Sequence, residues 1–460
     1  MWLTSEWLTT EVGRPANTRE WSVPHVAFVP FTGFRVGEPE MLELGMTLPG
    51  LVPRAEAIGG LPALGLLTLA GMTPPPWTCS YHDAPRVTDE LVDMVRARNP
   101  ALVAVSALSA SIHDAYDFTR RLREYGIPTI IGGLHTTAMP DEAEAHCDAV
   151  AVGDGEPIWP AILADARAGA LRRRYQSRTP FNMQEAPLPR FDLLGDRVRP
   201  RMTIQTQRGC PFACEFCGAS RLLGPFREKP VERIAGELAR ITEICPRPMI
   251  ELADDNTFAG RREPQGLFDV LAESEARYFT EVDWRIGERP EILAGLAASG
   301  CVQVLIGIES ILFQPAGMGA KRADLQRVMN AVGAIQESGV AVIGCFIVGC
   351  DGETESSIDQ LGAFLDQCPL ADVQLTVQTP FPGTALHHRL KQSGRLLPER
   401  GWDRYTLFDL TYQPDNMTVR QLETSFRDLV RQTFADEPAR RRAEIRRATW
   451  RRHPVLKPCS

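Results

Sequence analysis

From about residue 24 the chain alternates short apolar runs with longer amphipathic stretches. The runs His25–Pro30, Leu102–Leu108, Thr129–Ile131 and Ala149–Val152 are apolar at nearly every position, the pattern of strands buried on both faces of a parallel sheet. Between them, Asp89–Arg98, Asp114–Tyr125 and Ile158–Ala166 place apolar residues at helical spacing. This alternation predicts an α/β, Rossmann-like doubly wound domain over residues 20–170. The pattern breaks over 171–200, where Arg172-Arg173-Arg174 precedes the extended, Pro-rich Ala186-Pro-Leu-Pro-Arg-Phe191, and this stretch reads as a connector. Strand patterns then return at Thr203–Gln207, Met249–Ala253, Val282–Ile286, Val302–Ile308, Val340–Val348 and Val373–Gln378. Helical stretches fall between them, including Val231–Ile244, Pro290–Ser299, Ala323–Ser338 and Glu355–Gln367. Six βα units over 201–400 predict a partial (β/α)6 barrel, whose functional groups belong on the loops after the strands' carboxyl ends. Residues 401–460 form a small C-terminal helical region with interspersed aromatics, Trp402, Tyr405, Phe408 and Tyr412.

Composition adds exclusions to this picture. Hydrophobic content of 44% and charged content of 23% are ordinary for a globular protein, and no apolar run reaches membrane-spanning length. Met1-Trp-Leu-Thr-Ser-Glu-Trp7 lacks the basic start and apolar stretch of a signal peptide, so a cytoplasmic location without membrane attachment is expected. The net charge of −8 gives no basic surface suited to nucleic acid. A local exception is Arg440–Arg452, with seven Arg against the single Glu444; it reads as a solvated C-terminal helix in preference to a surface for an anionic partner. Eleven cysteines, an odd number, fit reduced thiols better than a disulfide framework.

Three of those cysteines carry the chemistry. Arg208-Gly-Cys210-Pro-Phe-Ala-Cys214-Glu-Phe-Cys217 puts three thiols on one short loop, after the first strand of the predicted barrel. Random placement of 11 Cys in 460 residues would give this spacing roughly 0.006 times per chain, so coincidence is a poor account. Core cysteines rarely crowd three to a turn. Zinc would want a fourth Cys or His close by, yet no His lies between 147 and 386 and the next Cys is Cys245. Soft thiolates select an iron–sulfur cluster, and three ligands on a four-iron cubane leave one iron open to a ligand from outside the chain.

The motif Cys-x3-Cys-x-Phe216-Cys resembles that of the radical S-adenosylmethionine (SAM) superfamily, and the likeness extends over about Met202–Tyr412. It implies a [4Fe-4S] cluster on Cys210, Cys214 and Cys217, SAM chelated at the open iron, and reductive cleavage of SAM to a 5′-deoxyadenosyl radical. The protein then has to position and shield that radical. It also implies an external reductant of flavodoxin or ferredoxin type and a small-molecule substrate. Further segments resemble SAM-facing parts of such enzymes. Asp254 and Asp255 end the second strand, where a turn or helix cap is the plain alternative. Glu309 and Ser310 end the fourth strand, in a Gly-x-Glu-Ser segment that is otherwise an ordinary strand exit. Arg285, on the predicted third strand, would pair a SAM carboxylate or instead form an ion pair with Glu309 or Glu288. Thr379 opens Thr379-Pro-Phe-Pro-Gly-Thr384, a rigid turn suited either to adenine or to rigidity alone.

In the first half, Leu61-Pro-Ala-Leu-Gly-Leu-Leu67, Gly132-Gly133-Leu134-His135 and Gly153-Asp154-Gly155-Glu156 resemble the cobalamin-binding-type domain joined to radical SAM cores in the class B enzymes. The crevice residues this suggests are Ser106, Gly132, Gly133, His135, Gly153, Gly155 and Glu156, at the carboxyl ends of parallel strands where glycine lets backbone approach a ligand. His135 reads as a neighbour of cobalt or as a helix-start residue. The Asp-x-His-x-x-Gly motif that supplies a cobalt ligand in other B12 proteins is absent, so cobalamin is a possible cofactor held without a protein histidine, or the domain is vestigial. The resemblance points to a cobalamin-dependent C-methyltransferase of a small-molecule biosynthetic intermediate. Two alternatives stand beside it: a cobalamin-independent radical dehydratase, deoxygenation or rearrangement enzyme, as for aminoglycoside diols, and a non-catalytic SAM or cobalamin sensor.

Overall fold

The structure is a computed structural model that describes residues 23–33, 35–47, 60–195, 199, 201–311 and 324–456. The leader reading of the first residues, connector positions 196–198 and 200, and the helix start at Ala323 lie outside them.

The first sheet has six parallel strands: β1 His25–Phe31, β2 Thr78–Tyr81, β3 Leu102–Ala107, β4 Thr129–Gly132, β5 Ala149–Val152 and β6 Arg174–Gln176. Their spatial order is β2-β1-β3-β4-β5-β6, so the winding reverses between β1 and β3. A strand has a side-chain period of two, so alternate residues of these apolar runs pack on opposite faces. Val29, Val103, Val105 and Ile131 meet the helices Asp89–Ala97 and Ile112–Glu124. Phe28, Ala104, Ile130 and Ala149 meet the helices Leu64–Gly71 and Trp159–Arg167. Two strands are additions to the sequence reading. β2 is short and only partly buried. β6 lies inside the stretch read as connector: Arg174, Tyr175 and Gln176 pair with Val150, Ala151 and Val152. Tyr175 anchors this edge, being buried while the arginine run before it and Gln176 after it stay exposed, which is why composition alone suggested a linker.

The second sheet is also parallel. Its strands are β7 Met202–Ile204, β10 Met249–Leu252, β11 Arg277–Val282, β12 Cys301–Glu309, β13 Ala341–Val348 and β14 Asp372–Val377. They lie side by side in chain order, the arrangement of a partial barrel. The excursion after β7 holds a two-residue antiparallel pair, β8 Gln207–Arg208 with β9 Arg227–Glu228. One predicted strand shifts. β11 ends at Val282, and Trp284–Glu288 forms a 3₁₀ turn because the Asp283 side chain accepts the Arg285 N–H and caps it. Arg285 is therefore on a turn beyond the sheet.

The C-terminal helices Val419–Phe434 and Asp436–Trp450 cover the barrel. The second is the Arg-rich stretch, and it is less solvated than its composition suggests. Arg442 is 3% exposed and donates to the carbonyls of Thr433 and Leu365, while Trp450 donates to Val302 O at 2.8 Å. Its cations satisfy helix and loop carbonyls at the barrel surface, which answers the need to pair buried polar groups. No helix among the described residues is long and apolar enough to cross a membrane.

Candidate functional site: a crevice facing a three-cysteine loop

The cysteine loop leaves β8 at Gly209 and returns at β9. Gly209 has φ +78°, and a Cβ there would meet Gly224 O at 3.0 Å, so only glycine lets the two ends of the loop close. Cys214 is buried and Cys210 and Cys217 are partly exposed. The Cys217 N–H bonds to Cys214 O at 3.3 Å. Among the described residues, no three His, Cys, Asp or Glu side chains are grouped tightly enough to hold a single metal ion. A cubane makes a different demand, since each thiolate takes its own iron and the ligands stand further apart. Three soft donors on one loop at the carboxyl edge of a parallel sheet fit such a cluster by their chemistry.

Neighbouring elements hold this loop from several sides. Arg285 pairs with Asp283 at 2.6 Å, and its guanidinium lies 5.1 Å from the centre of the Phe212 ring. Of the partners expected for Arg285, Glu288 binds Arg327. Glu215, which sequence reasoning passed over, accepts from Arg389 at 2.7 Å, and its backbone carbonyl accepts from Leu386 N at 3.0 Å. An acid between two motif cysteines carries no periodic signal, so only the fold reveals this tie. Phe216 is half-buried against the barrel core.

The two aspartates divide into different jobs. Asp254 is 3% exposed and accepts from Thr206 N at 2.8 Å, Thr206 Oγ1 at 2.6 Å, Gln207 N at 3.1 Å and Thr257 Oγ1 at 3.0 Å. It fixes the chain between β7 and β8, which is the helix-cap style alternative moved onto a strand exit. Asp255 beside it is half-buried, and its carboxyl is pushed up to about 6, by burial first and by the charge of Asp254 second. Glu309 is buried at a β-bulge and adopts φ +68°, a left-handed conformation uncommon outside glycine. It shares a small cleft with Ser310 and Glu353. Glu353 accepts from Gly349 N at 2.6 Å, and burial raises its carboxyl to about 7. Thr379 is buried with Oγ1 on Val377 O. The turn after it wedges between the halves of the molecule: at Gly383, φ +82°, a Cβ would meet Leu222 at 2.8 Å and Ala138 at 3.1 Å.

Across from the loop lies a crevice of about 310 Å³. Ser106, Gly132, Gly133, Gly153, Gly155 and Glu156 all line it, beneath the helix Leu64–Gly71. At Gly132 and Gly155 a Cβ would meet Ala151 and Leu69, each at 3.3 Å, so larger side chains would fill the cradle. Bare glycine backbone and the apolar side chains of Leu66, Leu69, Ile130 and Trp159 make much of its wall, which suits a largely apolar ligand group. His135 is the exception and a correction to the sequence reading. It is 1% exposed and does not line the crevice; Nδ1 bonds Ser109 Oγ at 3.0 Å and the ring meets Trp402 edge-on at 5.0 Å. Gly133, at φ +109°, turns the chain so that the residue two positions later faces the other side.

Crevice and loop are physically one unit. Arg208, two residues before Cys210, binds Asp154 at 2.7 Å and Glu156 at 2.7 Å, and Arg227 binds the other oxygen of Asp154 at 2.7 Å. All four side chains are 14% exposed or less. Glu156 is therefore committed to the clamp as well as to the crevice wall. Gln205, Arg208, Leu222, Leu223 and Ala253 roof the crevice from the second sheet.

A doubly wound domain thus presents a glycine-lined crevice that is roofed by the three-cysteine excursion of a partial barrel. Residues 50–163 match the B12 binding domain, and residues 204–365 match the Radical SAM superfamily. The chain belongs to the radical SAM enzymes that carry an N-terminal B12-binding domain. It is 24% identical over 360 residues to bacteriochlorophyllide d C-12(1)-methyltransferase of Chlorobaculum tepidum, covering 76% of this chain and 78% of that one. With the hopanoid C-2 methylase of Rhodopseudomonas palustris it shares 27% over 354 residues, 73% of this chain and 66% of the other. Among solved structures, the cobalamin-dependent radical enzyme OxsB with aqua-cobalamin bound superposes with a TM-score of 0.66 at 12% identity, over 88% of this chain and 66% of that one. The radical SAM methyltransferase TsrM of Kitasatospora setae gives 0.59 at 14%, over 81% and 78%. These likenesses establish the fold. The enzyme class carries with it a [4Fe-4S] cluster, SAM and cobalamin as cofactors.

Proposed function

We propose that this chain is a cobalamin-dependent C-methyltransferase acting on a small-molecule biosynthetic intermediate. In this reading Cys210, Cys214 and Cys217 ligate the cluster. Asp255, Arg285 and Glu309 surround SAM, and the crevice of Ser106, Gly132, Gly133, Gly153 and Gly155 takes cobalamin. When bound, the cluster and SAM supply a 5′-deoxyadenosyl radical and cobalamin supplies a methyl carrier. The protein's own residues do the rest. Asp254 fixes the start of the cysteine loop, Arg285 and Glu215 steady its flanks, and Arg208 with Arg227 hold it against the crevice. The single observation carrying the reading is that crevice and cysteine loop share walls, Arg208 and Leu222 among them. A radical used only for elimination would have no need of that roofed slot. The reading extends to an external reductant, and to domain limits of 20–170, 201–400 and 401–460 joined by the connector 171–200, into which β6 extends the first sheet.

The deciding experiment is anaerobic purification from cells supplied with cobalamin, followed by reduction in the presence of SAM. A corrin absorption band tracking the protein, with release of both 5′-deoxyadenosine and S-adenosylhomocysteine, is the expected result. A cluster-only spectrum with 5′-deoxyadenosine alone would replace methyl transfer by a cobalamin-free radical reaction.

A further inference from the structure

A second chamber, of about 390 Å³, adjoins the crevice. That volume is in the range of small-molecule sites. It opens at the reversal between β1 and β3, through Gly33 and Leu108, where doubly wound sheets bind ligands. Leu134 and Leu222 are common to both spaces, so a pair of leucines separates the chamber from the crevice. Leu222 also ends the short helix Ala219–Leu222 that follows Cys217, which sets the chamber beside the cysteine loop. Phe381, Pro382, Phe408 and Phe434 complete an apolar wall drawn from the Pro-rich turn and the C-terminal region.

The polar groups on this wall are nearly all engaged elsewhere. Arg35 binds Asp114 at 2.6 Å, Ser111 donates to Phe31 O at 3.2 Å, and Thr406 donates to Asp409 at 2.6 Å. Ser109 and His135 hold each other. Gln374, on β14, and Tyr405 are the remaining polar side chains. A charged ligand would lose its hydration here without a free counter-ion, which is strongly unfavourable.

Resting on the methyl-transfer reading above, we propose that this chamber is the acceptor pocket, and that the acceptor is a neutral, predominantly apolar molecule with one hydrogen-bonding group directed at Gln374. The chamber's place between the crevice, the cysteine loop and the Pro-rich turn puts such a molecule next to both cofactor sites, and Leu134 and Leu222 would bracket the carbon that reacts.

The test uses two probes that differ by one charge, N-phenyl-1-naphthylamine and its 8-sulfonate, titrated by fluorescence into the full chain with cobalamin bound. The neutral probe should bind one-to-one and at least about tenfold more tightly than the sulfonate, given the cost of burying an unpaired charge. Leu108 is 64% exposed, so Leu108→Asp leaves the core untouched while charging the chamber mouth. It should weaken the neutral probe about tenfold or more with corrin content unchanged. Gln374→Leu should leave the neutral probe bound. Equal affinity for the two probes, or neutral binding indifferent to Leu108→Asp, overturns the proposal. Corrin content and 5′-deoxyadenosine release, measured on the same preparation, report the cofactor reading separately: their loss with probe binding intact sinks that reading and leaves the apolar pocket.

Discussion

The two sheets of this protein are built by the same physics and make opposite kinds of site. The first reverses its winding between β1 and β3, and the residues at its carboxyl edge are glycines and small polar groups that open a slot. The second never reverses; its strands follow in order, and their exits carry Cys, Asp, Glu and Arg. The slot lies at the ends of β3, β4 and β5, where bare glycine backbone leaves room for a ligand, whereas a sequential sheet curves and brings many loop side chains around one space. The first site is thus made by what is missing from the backbone, and the second by reactive side chains. Neither is complete alone, because the crevice's roof belongs to the second sheet.

Replacing any one of Cys210, Cys214 or Cys217 by Ala breaks the side-chain site outright. Iron content should fall to background and 5′-deoxyadenosine release should vanish, while corrin binding persists in the untouched crevice. Equal loss of corrin would show that the sites are not separable. Filling the other site is the mirror experiment. Gly132→Leu drives a side chain against Ala151 and into the slot, so corrin retention should drop by more than about tenfold; the overpacking costs about 1–3 kcal/mol in stability. SAM cleavage should survive in this variant, and a Gly132→Leu protein that keeps its corrin band would refute the assignment of the slot.

The link between the two comes next in size. Arg208→Ala leaves Glu156 buried and unpaired, a loss of about 3 kcal/mol by analogy with broken buried pairs, lessened where Arg227 still serves Asp154. Methyl transfer should suffer more than SAM cleavage, since the roof and the crevice lose registry, and Arg208→Lys should restore part of both. Comparable losses in the two activities would reduce the clamp to a structural role. The smallest effect concerns Glu353, whose carboxyl rises from 4.5 to about 7 on folding. The folded state then binds the proton more tightly, so this group's stabilising effect is full in acid and is lost as pH rises from about 4.5 through 7. Glu353→Gln keeps an acceptor for Gly349 N–H and should flatten that part of the melting-temperature profile; an unchanged slope would place the titration elsewhere.

Much of this architecture was legible in the chain. Long apolar runs such as Leu102–Leu108 and Val340–Val348 have little choice but buried parallel strands, and the helices Val231–Ile244 and Glu355–Gln367 fall where their periodicity puts them. The misses share a cause. Tyr175 anchors β6 between exposed Arg174 and Gln176, Asp283 converts a predicted strand into a 3₁₀ turn around Arg285, and His135 rotates away from the crevice behind Gly133. Each depends on one side chain or one dihedral angle, which leaves no periodic trace. Arg442 shows the same limit from the other direction, because a basic run says nothing of which carbonyls wait above the barrel.

By itself the sequence determined the two parallel sheets, their order along the chain and the three thiols on one loop, because hydrophobic periodicity and ligand spacing are local properties. Only the tertiary structure decided that Arg208 and Arg227 would lock that loop onto Asp154 and Glu156, and that Leu134 and Leu222 would stand between two cavities. Those pairings join residues tens of positions apart, and charge complementarity has no preferred sequence separation from which to read them.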